Sequence, residues 1–174
     1  PTQILKQREL ISLRNDILKS DVLDIVPESF NEKQKDDFRK DKKSLNRNLD
    51  YFIASSEVPM GEKVECLKIL KHITTPEYIL NPQLQDYKVK VLSEIVDDIV
   101  VENPNQKRLT TKDVAQRTHG MCAAISISRK AMPHEHKLAF VSTIAAELDN
   151  NDSLDVYDVT SPNLAEKSRV KKAD

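Results

Sequence analysis

Glycine is nearly missing from this chain, which has Gly61 and Gly120 as its two glycines in 174 residues. Phosphate-cradling loops, oxyanion turns and tight β-hairpins all need glycine at positive φ, so the sequence argues against such sites and against hairpin-rich β folds. Charged residues make up 32% of the chain, and Trp is absent. This composition favours helices with large polar surfaces. We therefore expect an all-α protein, an irregular bundle of about six or seven helices with an extended C-terminal tail.

The charge balance limits the partners that the whole molecule can attract. Lys and Arg total 27 and Asp and Glu total 28, which gives a net charge of -1. Nucleic acid or an anionic membrane would therefore need a local basic patch. The longest apolar run is too short to cross a bilayer, and the N-terminus lacks a signal-peptide core. We expect an intracellular protein, cytoplasmic or within a virus particle, that is neither secreted nor transmembrane.

Hydrophobic periodicity predicts four long helices, over residues 4–18, 31–53, 60–73 and 83–102. A capping box formed by Ser29 and Glu32 is expected to start the second helix. A strand over residues 99–101 remains an alternative for the end of the fourth, because β-branched residues are dense there. The first helix should be amphipathic, with these apolar residues: Ile4, Leu5, Leu10, Ile11, Leu13, Ile17 and Leu18.

The domain organisation follows from the breaks between the helices. Asn103 to Lys107 combine a helix stop, a proline and polar turn residues, which is typical of a boundary. We divide the chain into an N-terminal helical region over residues 1–103, a C-terminal subdomain of short helices over 107–149, and an extended polar tail over 150–174. Cys66 and Cys122 fall in apolar helical patterns, where a cysteine is usually a buried thiol in a reduced compartment.

The second helix carries a mixed-charge stretch over residues 33–47. Such a stretch is usually a solvated face with i,i+4 ion pairs, and its alternative role is a docking surface. The tail has too few apolar residues for a core of its own, so it too is a candidate contact. The candidate assembly contacts in these two segments are Lys33, Arg39, Lys40, Lys43, Arg47, Tyr157, Leu164 and Val170.

Residues 110–132 resemble a helix-turn-helix unit. Val114 and Ala115 would pack inside the first helix, Gly120 would form the turn, and basic residues outnumber acidic ones around them. Against this interpretation, the turn is a residue too long, and the reading helix has no Asn or Gln to pair with adenine. If the unit binds DNA, its contacts are Lys107, Arg108, Lys112, Arg117, Arg129 and Lys130.

Two sets of residues resemble chemical sites superficially. His119, Cys122, His134 and His136 have a zinc-like order, but His134 and His136 would point to opposite faces of a helix. His119 and Cys122 are close enough in sequence for a nucleophilic pair, but nothing predicts an oxyanion site or a pocket around them. We therefore expect no enzymatic activity, no cofactor and no metal.

The sequence as a whole favours a non-enzymatic structural or interaction protein, a subunit of a larger multimeric assembly. A connector or adaptor of a virus or phage particle is one context that fits. Its expected partners are proteins, either copies of itself or other subunits, and no membrane. The alternative function is a DNA-binding regulator or packaging factor that uses the unit over residues 110–132.

Overall fold

The structure is a computed structural model, and it describes residues 2–80, 82, 84–100 and 137–150 together with the backbone of two short strands. The described residues confirm the all-α fold. A 3₁₀ turn, Gln85–Tyr87, precedes the fifth helix. The helices are α1 (Thr2–Leu18), α2 (Asp21–Asp24), α3 (Glu32–Ala54), α4 (Met60–Ile73), α5 (Lys88–Val100) and α6 (Lys137–Leu148).

The two strands belong to the C-terminal tail. They are β1, Val156–Tyr157, and β2, Lys167–Ser168, and they pair antiparallel with Val156 opposite Ser168. Each is two residues long, so the pair adds no layer to the helical bundle.

Helix α5 has no exposed residue. Every one of its residues is buried or half-buried, because the helix packs along α3 and also touches α2 and α4. Helices α1 and α6 both pack against α4. Buried side chains from all six helices form one continuous apolar core. Cys66 lies in that core with no exposed surface, as its helical pattern predicted.

Helix α1 buries fewer apolar residues than its pattern predicted. Leu10, Leu13 and Ile17 face the core, whereas Ile4 is 60% exposed and Ile11 is 47% exposed. Residues seven apart lie on nearly the same line of a helix, so Ile4 and Ile11 form a second stripe, rotated about a third of a turn from the buried one. The apolar residues of α1 therefore occupy two faces, not one.

Two predicted helix starts are wrong: the capping residues of α3 and the first residue of α5. The capping box of α3 is formed by Asn31 and Gln34, where Gln34 N donates to Asn31 Oδ1 at 2.8 Å and Asn31 N donates to Gln34 Oε1 at 2.9 Å. The hydroxyl of Ser29 instead donates to Asp86 Oδ2 at 3.1 Å. Helix α5 begins at Lys88 after the 3₁₀ turn. Its helical Ile99 and Val100 exclude the alternative strand at these two positions.

Helix α6 is held at both ends by tertiary hydrogen bonds. Near its start, Leu138 N donates to Glu62 Oε1 of α4 at 3.2 Å. Near its end, the hydroxyl of Tyr78 donates to Ala145 O at 2.7 Å. These bonds satisfy terminal backbone groups that have no partner within a helix. The segment between α4 and α5 thereby fixes α6 on the bundle.

The predicted boundary at residues 103–107 and the predicted short helices up to residue 132 lie outside the described residues. None of the described helices is both long and apolar enough to cross a membrane.

Candidate interaction surface

The outer face of α3 carries a row of basic side chains. Lys33, Lys40 and Arg47 are seven residues apart, so they follow nearly one line along the helix over about 21 Å. Arg39 and Lys43 lie beside this line. All five side chains are exposed. We call this set, Lys33, Arg39, Lys40, Lys43 and Arg47, the basic ridge.

The basic ridge has little compensating negative charge. Lys40 Nζ lies 3.0 Å from Asp36 Oδ2, and Arg39 lies 3.8 Å from the same carboxylate. The hydrogen bond and charge of Lys40 lower the pKa of Asp36. The i,i+4 pairing predicted for this stretch is thus present, but Lys33, Lys43 and Arg47 form no ion pair with any other described residue. Among the described residues, therefore, two of the five exposed bases are ion-paired and three are not.

The other acids of this region lie on the neighbouring face, in a groove between α3 and α5. The groove encloses about 720 Å³. Two ridge residues, Lys33 and Lys40, form one of its edges, and Lys90 lies inside it. We call it the acidic groove, after its five carboxylate residues: Asp37, Asp41, Asp86, Glu94 and Asp97.

Contacts fix where these carboxylates lie along α3. Asp86 accepts a hydrogen bond from Ser29, just before the helix, and Asp97 accepts one from Asn48 Nδ2 at 3.2 Å, near its other end. Between these ends, Asp41 Oδ2 lies 3.6 Å from Lys90 Nζ. Carboxylates therefore line the acidic groove along most of α3, and Lys90 neutralises part of their charge near its middle.

One end of the acidic groove is aromatic. The rings of Phe30 and Tyr87 are 5.4 Å apart, and Phe38 packs edge-on against Phe30 at 6.4 Å. Gln34 Nε2 donates to the hydroxyl of Tyr87 at 2.9 Å, which holds that ring across the start of α3. A partner side chain entering this end would meet both aromatic carbon and nearby carboxylate.

A second cleft, of about 780 Å³, lies where the C-terminal ends of α3 and α5 meet the start of α6. Arg47 and Tyr51 line it, and Tyr51 is 59% exposed. This cleft therefore continues the surface at one end of the basic ridge.

The described residues offer little for catalysis. Burial raises the pKa of the Cys66 thiol well above its ordinary value, so it stays protonated and is a poor nucleophile. Within the described ranges, no group of three or more His, Cys, Asp or Glu residues is arranged to hold a metal ion. The candidates His119, Cys122, His134 and His136 lie outside those ranges.

Some of the predicted contact residues lie within the described residues and others lie outside them. The five of α3 are brought together on one exposed face. The structure describes Tyr157 by its backbone in β1, and Leu164 and Val170 lie outside the described residues. So does every predicted nucleic-acid contact: Lys107, Arg108, Lys112, Arg117, Arg129 and Lys130.

The sequence analysis did not predict the acidic groove, although two of its carboxylates have a helical spacing that could have indicated it. Asp37 and Asp41 are four residues apart and so share one side of a helix, away from the line of Lys33 and Arg47. Plotting the charges by angle instead of by order places Asp37 and Asp41 together, on the opposite side of that line from Asp36. Asp86 and Asp97 gave no such signal, because tertiary packing places them beside α3.

Comparison with known proteins gave no relative. The sequence matches no protein-family model, and neither curated proteins nor solved structures gave a match.

Proposed function

We propose that this chain is a non-enzymatic subunit of a multimeric assembly, and that the basic ridge is a contact with its protein partners. One observation carries the proposal: five exposed basic side chains lie on one helix face, and two of them, Arg39 and Lys40, are ion-paired, both with Asp36. The net charge of the chain is close to zero, so this face is a local excess and not part of an overall basic character.

A row of bases along about 21 Å of rigid helix complements an extended acidic protein surface, which a single base would not do. Such a surface speeds encounter and fixes orientation, and its attraction acts over a Debye length of about 8 Å at physiological salt. Lys33, Lys43 and Arg47 have no ion pair with another described residue to break before they bind. This favours a docking role over a purely solvating one.

The wider context is also proposed. A connector or adaptor of a virus or phage particle would use a helical bundle of this kind, with balanced total charge, to join neighbouring subunits. The absence of enzymatic activity is part of the same proposal; Cys66, the cysteine among the described residues, is buried with a raised thiol pKa and supplies no reactive nucleophile. The alternative, a DNA-binding or packaging factor, depends on residues 110–132, which lie outside the described residues.

Photo-crosslinking tests the proposal directly. A photoreactive amino acid is placed at Lys43, on the ridge, and at Asp21, an exposed control position on α2, and the full chain is irradiated in the cells that express it. We expect discrete higher-mass protein products from position 43 that are lost when Lys33→Glu and Arg47→Glu are added, and none from position 21. The uncrosslinked chain alone would refute the proposal, and products removed by nuclease would favour the DNA-binding alternative.

A further inference from the structure

We infer that the basic ridge of one copy binds the acidic groove of a second copy, with the two α3 helices parallel around a two-fold axis that runs along them. This inference rests on the proposed function, because the same ridge makes the contact. It goes further by naming the partner, another copy of this chain, and the register in which the two copies meet.

The direction of the two-fold axis decides which surfaces meet. Viewed down α3, Asp37 and Asp41 lie about 60° and 100° to one side of Lys40, the middle of the ridge line. An axis perpendicular to the helices would keep this sideways order and set ridge against ridge. An axis parallel to the helices reverses the sideways order and keeps the position along the helix, so the ridge of each copy faces the groove of the other.

The bases at the two ends of the ridge then lie at the levels of carboxylates. Asp86 is hydrogen-bonded to the segment just before α3, close to the level of Lys33. Asp97 accepts a hydrogen bond from Asn48, the residue after Arg47. Because a parallel pairing keeps each level, Lys33 of one copy lies by Asp86 of the other. Arg47 lies by Asp97 in the same way.

The middle of the groove contributes less to the pairing. Lys90 Nζ lies 3.6 Å from Asp41 Oδ2, so a ridge base at this level meets a carboxylate that already has a cation beside it. Lys40 likewise has Asp36 beside it on the ridge. The two ends therefore decide the register, and each end contact occurs twice in the closed dimer.

Tyr51 adds an apolar contact at one end. It lies four residues beyond Arg47, on the ridge side of α3, and it is 59% exposed. At the same level, Ile99 and Val100 of α5 line the second cleft. The parallel pairing brings Tyr51 of one copy to this cleft of the other, and enclosed aromatic rings are frequent anchors of interfaces. In the single chain Tyr51 remains exposed, so its substitution affects association and not folding.

Charge-reversal variants of the full chain test the pairing. In sedimentation velocity at about 50 mM salt and up to about 200 µM chain, we expect the wild type to dimerise, and its Kd to rise at least about tenfold at about 300 mM salt. Lys33→Glu, Asp86→Lys and Arg47→Glu each set like charges together at both copies of one contact. Each variant alone should therefore dimerise at least about tenfold more weakly than the wild type.

Mixtures of two variants test the register. Lys33→Glu mixed with Asp86→Lys has opposite charges at every end contact, so this heterodimer should approach the Kd of the wild type. Arg47→Glu mixed with Asp86→Lys leaves two of the four end contacts repulsive, so it should remain as weak as either variant alone. The reverse order of the two mixtures, or equal Kd values for them, overturns the inference.

The matched mixture also excludes misfolding as the cause, because two misfolded variants would not restore each other's association. All three substituted residues are exposed, and circular dichroism checks that each variant keeps its helix content. Asp21→Lys, a charge reversal on α2 outside both surfaces, should dimerise like the wild type. A wild-type chain that stays monomeric over this concentration range overturns the inference, as does a ridge or groove variant whose Kd equals that of the wild type.

Failure here is distinguishable from failure of the proposed function. A monomeric chain that still crosslinks from position 43 to a different protein removes the second copy as the partner and leaves the assembly role standing. Crosslinked products at twice the mass of the chain, lost when Lys33→Glu and Arg47→Glu are added, support both.

Discussion

Two regions of this molecule use charged and polar side chains in opposite ways. Where α6 docks on the segment between α4 and α5, the hydroxyl of Tyr78 and the amine of Lys88 are buried and each has a backbone carbonyl as its acceptor. On the outer face of α3, two of the five exposed bases, Arg39 and Lys40, are ion-paired, both with Asp36. Buried polar groups with fixed partners specify a fold, whereas exposed charge without compensation remains available to a partner.

The docking region is built around Tyr78, which has no exposed surface. Lys88 Nζ donates to Thr75 O at 3.0 Å and lies 5.6 Å from the centre of the Tyr78 ring, a cation–π distance. Burial lowers the pKa of Lys88, and the negative charge of Asp149 opposes that shift. Asn150 N donates to Ile79 O at 2.7 Å, which closes the region on the other side.

The largest effect should come from removing the centre of this region. Tyr78→Ala deletes a fully buried ring and its hydrogen bond to α6, so we expect the free energy of unfolding to fall by about 3–5 kcal/mol. The matched control is Tyr51→Ala, at an exposed tyrosine of α3, which should change it by less than about 0.5 kcal/mol. Chemical denaturation monitored by circular dichroism measures both. Equal losses in the two variants would contradict the division between a buried docking region and a free surface.

Local sequence patterns predict the helices but not this docking region. The apolar periodicity of residues 60–73 and the polar break after Ile73 are local, so the positions of α4 and its end could be predicted. Tyr78 and Ala145 are 67 residues apart, and nothing local links them. Contacts of this kind depend on chain packing, which hydrophobic period alone does not determine.

The candidate interaction surface also shows that local sequence patterns do not determine tertiary packing. The five ridge bases could be predicted as one surface because they belong to one helix with a known period. The groove needed the placement of Asp86 and Asp97 from a second helical segment. Asn31 and Gln34 illustrate a third case: their capping signal is local and has the same spacing as Ser29 and Glu32, but the sequence analysis did not single it out.

A second prediction tests the burial of Tyr78 through the pH dependence of the free energy of unfolding. Burial, and then the charge of Asp149, raise the pKa of Tyr78 well above its ordinary value of 10.0. Above pH 10 the unfolded chain therefore releases this proton and the folded chain keeps it, so stability falls as pH rises, by about 1.4 kcal/mol per pH unit. Below pH 10 the contribution is fully present.

Tyr78→Phe removes that ionisation. At neutral pH the variant should lose about 1–3 kcal/mol, because Ala145 O loses its buried donor. Between about pH 9 and about pH 11, however, the wild type should lose more stability than Tyr78→Phe, by about 1–1.5 kcal/mol. Denaturation curves at the two pH values give the difference. Parallel losses in both proteins would show that the phenol is accessible in the folded state.

The third prediction concerns the start of α3, which carries the exposed ridge. Asn31→Ala removes the side chain that accepts from Gln34 N, so the free energy of unfolding should fall by about 1 kcal/mol. Ser29→Ala removes an exposed hydroxyl that bonds Asp86 and should cost a few tenths of a kcal/mol. Thermal melts of the two variants rank them. If Ser29→Ala lowered the stability more than Asn31→Ala, the capping box predicted from Ser29 and Glu32 would be supported instead.

The smallest effect should have the opposite sign and fall on the ridge itself. Lys43 lies three residues after Lys40 and four before Arg47, and like charges at these spacings destabilise a helix by about 0.2–0.5 kcal/mol. Lys43→Gln should therefore slightly raise the free energy of unfolding at low salt, and the gain should vanish at high salt as the repulsion is screened. Lys19→Gln, an exposed base outside the ridge, is the control and should show no gain. If Lys43→Gln raises stability and also weakens crosslinking to the partner, Lys43 is retained for binding at a small cost in stability. A loss of stability in Lys43→Gln would instead place Lys43 among the residues that hold the fold together and remove the contrast between the two regions.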